Sequence, residues 1–234
     1  MEEQSSAFKA PSKKHQPKGL TILYEDRDIL VVDKIQGLLT IGTEREKQNT
    51  AHFLLNEYVK KGNERSKNRV FIVHRLDRET SGILIFAKSE ETKFYLQDHW
   101  KAFSKKYYAV VHGVLQDKEG VITSYLFENK VFRVYSVNDP NKGKFSETGY
   151  KVINESDKFS LLEINLFTGR KHQIRVHLSE MGHPVVGDKM YGNADKGAKR
   201  LALHCASLTI IHPFTHKEMS FETVIPPYFK TLVQ

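Results

Sequence analysis

The chain has 234 residues, 39% of them hydrophobic and 27% charged, with 36 basic against 28 acidic side chains for a net charge of +8. That length allows a sizeable core, no apolar run approaches the ~20 residues that cross a bilayer, and no apolar signal segment opens the chain. The single cysteine, Cys205, excludes an internal disulfide and fits a reducing cytoplasm, while the basic excess favours a polyanionic partner, nucleic acid first.

Residues 1–18 are polar and basic with one large apolar side chain, Phe8. Such a segment cannot bury enough surface to offset chain entropy and is expected to be a mobile tail. From Leu20 the pattern changes: residues 21–24 and 29–32 are two β-rich runs around Glu25-Asp26-Arg27-Asp28, a hairpin signature followed by a turn at Gly37. Thr50 reads as the N-cap of a helix carrying Leu54, Leu55 and Tyr58 and stopping at Gly62. Residues 89–100 form a second amphipathic helix. Strands then dominate residues 106–165, with 104–113 the clearest, then 125–127, 131–135 and an alternating run at 162–166. Thr168 is expected to cap a helix with Ile174, Leu178 and Met181 as its stripe, ended by Gly182 and Pro184. Residues 201–233 return to strand-like runs broken at Pro213 and Pro226-Pro227. Strands without a βαβ rhythm predict an α+β fold with a large mixed, mainly antiparallel sheet and flanking helices. No composition break demands a second domain, so residues 19–234 are expected to form one.

Two polar clusters stand out. Val73-His74-Arg75-Leu76-Asp77-Arg78-Glu79-Thr80-Ser81-Gly82 places Asp77 between Arg75 and Arg78, ahead of a polar Thr80-Ser81-Gly82 turn, at the junction of two apolar runs. Ionic groups withdrawn from water cost several kcal/mol each unless paired, so such a cluster marks a candidate site; a solvated turn with a surface ion pair is the competing reading. The second cluster is Thr168 to His177. Arg170, Lys171 and His172 are placed in the first helical turn, where positive side chains are disfavoured by about 0.3–1 kcal/mol each but can meet phosphate beside unsatisfied backbone N–H groups. Arg175, about 140° around the helix from Arg170, points partly inward and calls for a carboxylate. His172 and His177 lack the i, i+4 spacing of a zinc pair, and Cys205 has no second cysteine, so no metal is expected.

These clusters resemble signatures of the RluA-type pseudouridine synthases. His74-Arg75-Leu76-Asp77 with Thr80-Ser81-Gly82 is similar to the family's HRLDxxTSG. Lys105, Tyr107, Ala109, Val111 and Gly113 resemble its KxYxAxVxG strand. Thr168-Gly169-Arg170 with His172-Gln173-Ile174-Arg175 resembles its TGRxHQIR helix, running on into Gly182-His183-Pro184 and Gly187-Asp188 with Tyr191-Gly192. Arg200 to His204 and His212-Pro213 resemble its closing strands. The likeness covers residues 20–230. One departure is Lys34-Ile35-Gln36-Gly37-Leu38, where relatives often carry proline in place of Ile35, a loop-stiffening residue without a chemical role.

The resemblance implies the pseudouridine-synthase catalytic fold with a central cleft, and an enzyme that isomerises uridine in RNA without cofactor or metal. The N-glycosidic bond breaks, uracil turns while held, and C5 joins C1′. By position Asp77 would be the catalytic carboxylate, as nucleophile at the ribose or base at C2′. Arg175 would be its ion-pair partner, and Tyr107 would lie against the uracil and serve removal of the C5 proton. Arg75 would fill the place of the flipped nucleotide, Leu178 would line the base pocket, and Arg78, Thr80, Arg170, Lys171 and His172 would contact RNA. A compact member without room for an N-terminal S4-type domain is expected to work as a monomer on a stem-loop of transfer or ribosomal RNA. The alternatives are a non-catalytic RNA-binding or RNA-folding protein on the same scaffold, which would not require Asp77, Tyr107 and Arg175 together, and a hydrolase of free nucleosides, which would not require the basic surface.

Overall fold

The first hairpin forms because two apolar runs meet across a turn that Asp26 closes. Strands β1 (Leu20–Glu25) and β2 (Ile29–Lys34) pair antiparallel, and Asp26 Oδ1 accepts the N–H groups of Asp28 and Ile29, both at 2.8 Å. In chain order follow α1 (Ala51–Lys60), β3 (Phe71–Ile72), β4 (Ser81–Ala87), α2 (Glu90–Asp98), β5 (Ser104–His112), β6 (Glu119–Glu128), β7 (Val134–Val137), β8 (Lys144–Glu155), β9 (Phe159–Leu166), α3 (Gln173–Glu180), β10 (Leu203–Ile211), β11 (Glu218–Glu222) and α4 (Pro227–Leu232). The computed structural model describes residues 11–192, 198 and 200–234. Residues 1–10 of the expected tail lie outside the described residues. Its remainder carries a short 3-10 turn, Lys13–His15, and Gln16 Oε1 accepts the N–H of Ile22 at 2.7 Å, tying it to β1.

Contacts divide the chain into two compact units, residues 1–100 with 211–221, and residues 101–210 with 222–234. In the first, β4 pairs with β2 and β3, and Ile83, Leu84, Ile85, Phe86 and Ala87 are all fully buried. An unbroken apolar run is what a strand covered on both faces requires. Helix α2 packs on β3 and β4. Thr50 caps α1, its hydroxyl accepting the N–H of Phe53 at 3.2 Å, and Lys61 ends it in the left-handed conformation (φ 51°) ahead of Gly62 (φ 73°). The face that α1 buries is Ala51, Leu55 and Val59. Leu54 and Tyr58 are only half-buried, and the Tyr58 hydroxyl donates to Glu25 at 2.9 Å.

The second unit is a sheet in the order β10-β5-β9-β8-β6-β7, with every neighbouring pair antiparallel. The α+β class and the mainly antiparallel sheet agree with the sequence reading. Three local elements differ. Residues 131–133 form the loop before β7 rather than strand, with Phe132 at φ 61°. Ser81 and Gly82 open β4, and the turn falls at Arg78-Glu79. The tail end of the chain is helical, not extended, because Pro227 at the first helical position has its φ preset and lacks an N–H that would go unbonded there anyway.

Phe86 is fully buried in β4. Its replacement by alanine should cost about 3–5 kcal/mol, read as a fall in the urea midpoint at unchanged slope.

Candidate active site

Asp77 stands in the open segment between β3 and β4. Its side chain is half-buried, Arg75 and Arg78 are exposed beside it, and Leu76 and Thr80 are buried anchors. The segment has no strand ladder of its own, so its backbone groups need other partners. The Thr40 hydroxyl donates to the Leu76 carbonyl at 2.8 Å and accepts the Leu76 N–H at 3.2 Å. On the far side, the Arg78 carbonyl accepts the Gly37 N–H at 2.8 Å and Lys34 Nζ at 3.3 Å, and Arg78 Nε donates to the Gly37 carbonyl at 3.1 Å. The Thr80 N–H closes the turn on the Asp77 carbonyl at 3.1 Å. The His74 ring stacks on Trp100 at 4.3 Å and accepts the Ile85 N–H at 3.2 Å. Backbone clamps therefore sit one residue before and one residue after the carboxylate.

Lys34 is the electrostatic centre of this loop. It is fully buried, and its ammonium also donates to the carbonyls of Leu38 at 2.8 Å and Ile35 at 3.1 Å. Burial pulls its pKa down to about 8, against the opposing pull of Glu79, Asp77 and Asp33. The exposed ion pair of Arg78 is with Glu46, at 3.5 Å, and adds little in water.

The second unit carries the other expected residues. Tyr107, 7% exposed, lies in β5 opposite Ile164 of β9 and Cys205 of β10. Helix α3 is buried nearly all round, with Ile174, Arg175, Val176, His177 and Leu178 in the interior. Thr168 does not cap it. The N-cap is His172, left-handed at φ 55° and without a side-chain cap bond. Arg170, Lys171 and His172 therefore precede the helix instead of forming its first turn, and the expected conflict with the helix dipole is eased. The reason is Gln173, whose Oε1 accepts from the Thr168 hydroxyl at 2.8 Å and the Arg170 N–H at 3.0 Å. Its Nε2 donates to the Glu147 carbonyl at 2.9 Å and the Thr148 hydroxyl at 2.8 Å. This one amide organises the whole turn. Arg170 is exposed, its Nε on the Phe145 carbonyl at 3.2 Å; Lys171 pairs with Glu128 and lies 5.1 Å from the Phe132 ring. His172 Nδ1 is 2.8 Å from the Tyr191 hydroxyl.

Arg175 turns inward and has the carboxylate partner its position calls for, Asp188. Nε and Nη2 donate to the two carboxylate oxygens at 2.7 and 2.8 Å, with the Asp188 side chain 0% exposed. Burial alone would raise the Asp188 pKa; the Arg175 guanidinium and the N–H groups of Met190 and Tyr191 outweigh it and hold the carboxyl below the ordinary range. Asp188, Gln173, Lys34 and Thr40 were not singled out from sequence. Gly187-Asp188 and Lys34-x-x-Gly37-Leu38 carried a signal as motif positions, but neither motif says what its charge touches.

Among the described residues, Asp26, Asp28 and His212 bring possible metal-ligand atoms within 4.8 Å of one another. His212 Nδ1 accepts the N–H groups of Phe214 and Thr215 at 3.2 and 3.1 Å, so the ring proton is on Nε2, which donates to Asp26 Oδ2 at 2.9 Å. With Asp26 Oδ1 closing the β1–β2 turn, these groups brace the hairpin.

One unit thus holds a clamped carboxylate loop, and the other a buried arginine-bearing helix packed on β6, β7 and β8. The family model of RNA pseudouridylate synthases matches residues 28–180, and the chain belongs to that family: it is an enzyme that isomerises uridine to pseudouridine in RNA. An uncharacterized RNA pseudouridine synthase of Mycoplasma pneumoniae is 38% identical over 217 residues, 90% of this chain and 68% of the relative. Ribosomal large subunit pseudouridine synthase C of Vibrio vulnificus is 34% identical over 222 residues, 91% and 68% of the two chains. Among solved structures, human RNA pseudouridylate synthase domain containing 1 superposes with a TM-score of 0.72 at 27% identity, over 91% of this chain and 86% of that one. No helix among the described residues is long and apolar enough to cross a membrane.

Helix α3 also buries His177, whose ring lies 2.9 Å from the Ser124 hydroxyl and 3.0 Å from that of Thr148. Burial lowers its pKa from 6.5 to about 4, with Glu180 pulling weakly the other way. The unfolded chain therefore binds this proton at a pH where the native protein does not, and stability present above pH 6.5 is lost as pH falls towards 4. His177→Gln should flatten that acid slope in denaturant midpoints measured from pH 7 to 4; an unchanged slope would assign it to other groups.

Proposed function

We propose that Asp77 is the carboxylate that performs the isomerisation, at the ribose as nucleophile or as base at C2′. Tyr107 serves as the aromatic neighbour of the uracil and Arg175 as the ion-pair partner that orients the carboxylate. The observation that carries this reading is the loop itself. A half-buried carboxylate held by Thr40 on one side and by Lys34 and Gly37 on the other is both accessible and fixed, as a group that must meet a reacting sugar requires. The reaction is balanced within the substrate: the bond from C1′ to N1 breaks, that from C1′ to C5 forms, and a proton leaves C5 while N1 gains one. It needs no oxidant or co-reactant.

The exposed guanidiniums fit the binding step. Arg75, two residues before Asp77, is placed to occupy the space vacated by a flipped nucleotide, and Leu178 belongs to the apolar wall against the base. Arg78 and Thr80, with Arg170, Lys171 and His172, supply phosphate and sugar contacts. The substrate is a stem-loop of structured RNA, ribosomal or transfer, where unstacking a loop base costs little; the ribosomal name of the Vibrio relative supports the first. The protein acts as a monomer in the cytoplasm.

Asp77→Asn should abolish pseudouridine formation while leaving RNA affinity in a filter-binding assay largely intact, and full conversion by this variant would sink the assignment. Mapping pseudouridines in total RNA with and without the protein identifies the substrate. Arg170→Ala should weaken RNA binding and reduce the slope of log affinity against log salt by about one ion; an unaltered slope would argue against a phosphate contact there.

A further inference from the structure

We propose that Asp188 is a positioning residue of this enzyme, acting through Arg175 to aim the guanidinium that serves the reaction. The inference rests on the role proposed for Arg175 and extends it to the group that sets its direction.

The carboxylate of Asp188 is saturated. Oδ2 accepts Arg175 Nε at 2.7 Å; Oδ1 accepts Arg175 Nη2 at 2.8 Å and the N–H groups of Met190 and Tyr191 at 2.9 and 3.0 Å. Two parallel bonds to one edge of a planar guanidinium remove its rotational freedom and turn the Nη1 end away from Asp188. The same carboxylate orders the turn that follows it, and Tyr191 from that turn lies with its ring 5.1 Å from the Arg175 guanidinium carbon. The Tyr191 hydroxyl is engaged in turn, accepting the Val134 N–H at 3.0 Å and lying 2.8 Å from His172 Nδ1. Arg175 is thus held by a fork on one edge and an aromatic ring beside it.

The backbone is shaped to deliver this carboxylate. Gly187 has φ +77°, and a Cβ there would sit 2.1 Å from the Arg200 carbonyl oxygen; a Cβ on Gly192 would come 2.5 Å from the Asp188 carbonyl oxygen. Only glycine fits at either end of the turn. Buried ion pairs are a weak source of stability, since apolar replacements often do as well. A pair this enclosed, with Arg175 in the first turn of α3, is better accounted for by the orientation it imposes.

The test is Asp188→Asn, which preserves volume and can still accept the two backbone N–H groups but turns an amide NH2 towards Arg175 Nε. The variant should lose kcat for pseudouridine formation on the order of 100-fold with KM for RNA unchanged and native circular dichroism. In an Arg175→Lys background, where the fork is already lost, Asp188→Asn should cause no further loss; losses that multiply would show Asp188 acting independently and overturn the inference. Because Asp188→Asn can fail on folding alone, the wild-type protein supplies a second readout. The Arg175 Nε–H resonance, assigned by its disappearance in Arg175→Lys, should be protected from exchange, and rapid exchange would overturn the fork's hold. Asp77→Asn is assayed alongside. If it stays active, the reading of the site fails; if it is inactive while Asp188→Asn keeps full kcat, the positioning role alone fails.

Discussion

Charge taken out of water costs several kcal/mol per ion unless the protein supplies its bonds, and in this enzyme that demand determines which loops can have only one shape. In the first unit the ammonium of Lys34 is fully buried and answered by three carbonyls, from Ile35, Leu38 and Arg78. Those carbonyls belong to two segments about forty residues apart in sequence. Closing them around one cation holds the loop after β2 against the loop before β4. The second unit meets the same demand with the Arg175–Asp188 fork, which ties α3 to the turn after Gly187.

Both arrangements act on irregular backbone, where no ladder of hydrogen bonds would otherwise define the conformation. The Asp77 segment borrows its order from Thr40, Lys34 and Gly37, and the segment before α3 borrows its order from Gln173. Each uses a side chain as a template for main chain. This suits the role proposed for Asp77: a group that meets substrate must stay open to it, so it cannot be immobilised by its own burial. Asp77 is half-buried, while its neighbours Leu76 and Thr80 are in the interior. Rigidity is supplied by the flanks and access by the centre.

The regular elements were legible because their signals are local. Alternation in β9, the Thr50 cap and the apolar run of β4 depend on residues a few positions apart. The candidate site drew notice in the sequence by ionic residues where apolar ones would serve stability. What could not be read were choices made by distant partners. Thr168 has the chemistry of an N-cap, but Gln173 bonds its hydroxyl and the cap moves to His172, in a left-handed backbone that is uncommon outside glycine. Arg175 announced a need for a carboxylate by its angle on the helix, yet thirteen residues and an intervening turn separate it from Asp188. Pro226-Pro227 was legible as a break, but not as the start of α4, which buries its own Phe229.

The charges of this chain consequently fall into two classes with different physics. Arg75, Arg78 and Arg170 are exposed, so their attraction for a polyanion is screened over about 8–10 Å at ordinary ionic strength and grows with the counterions they displace. Lys34, Arg175 and Asp188 are buried, and their interactions are short, saturated and largely shielded from salt. Affinity for RNA should therefore respond to ionic strength while the geometry of the loops does not. An enzyme that modifies RNA benefits from that separation. It can release a long polyanionic product by weak surface contacts without loosening the buried charges that hold its loops.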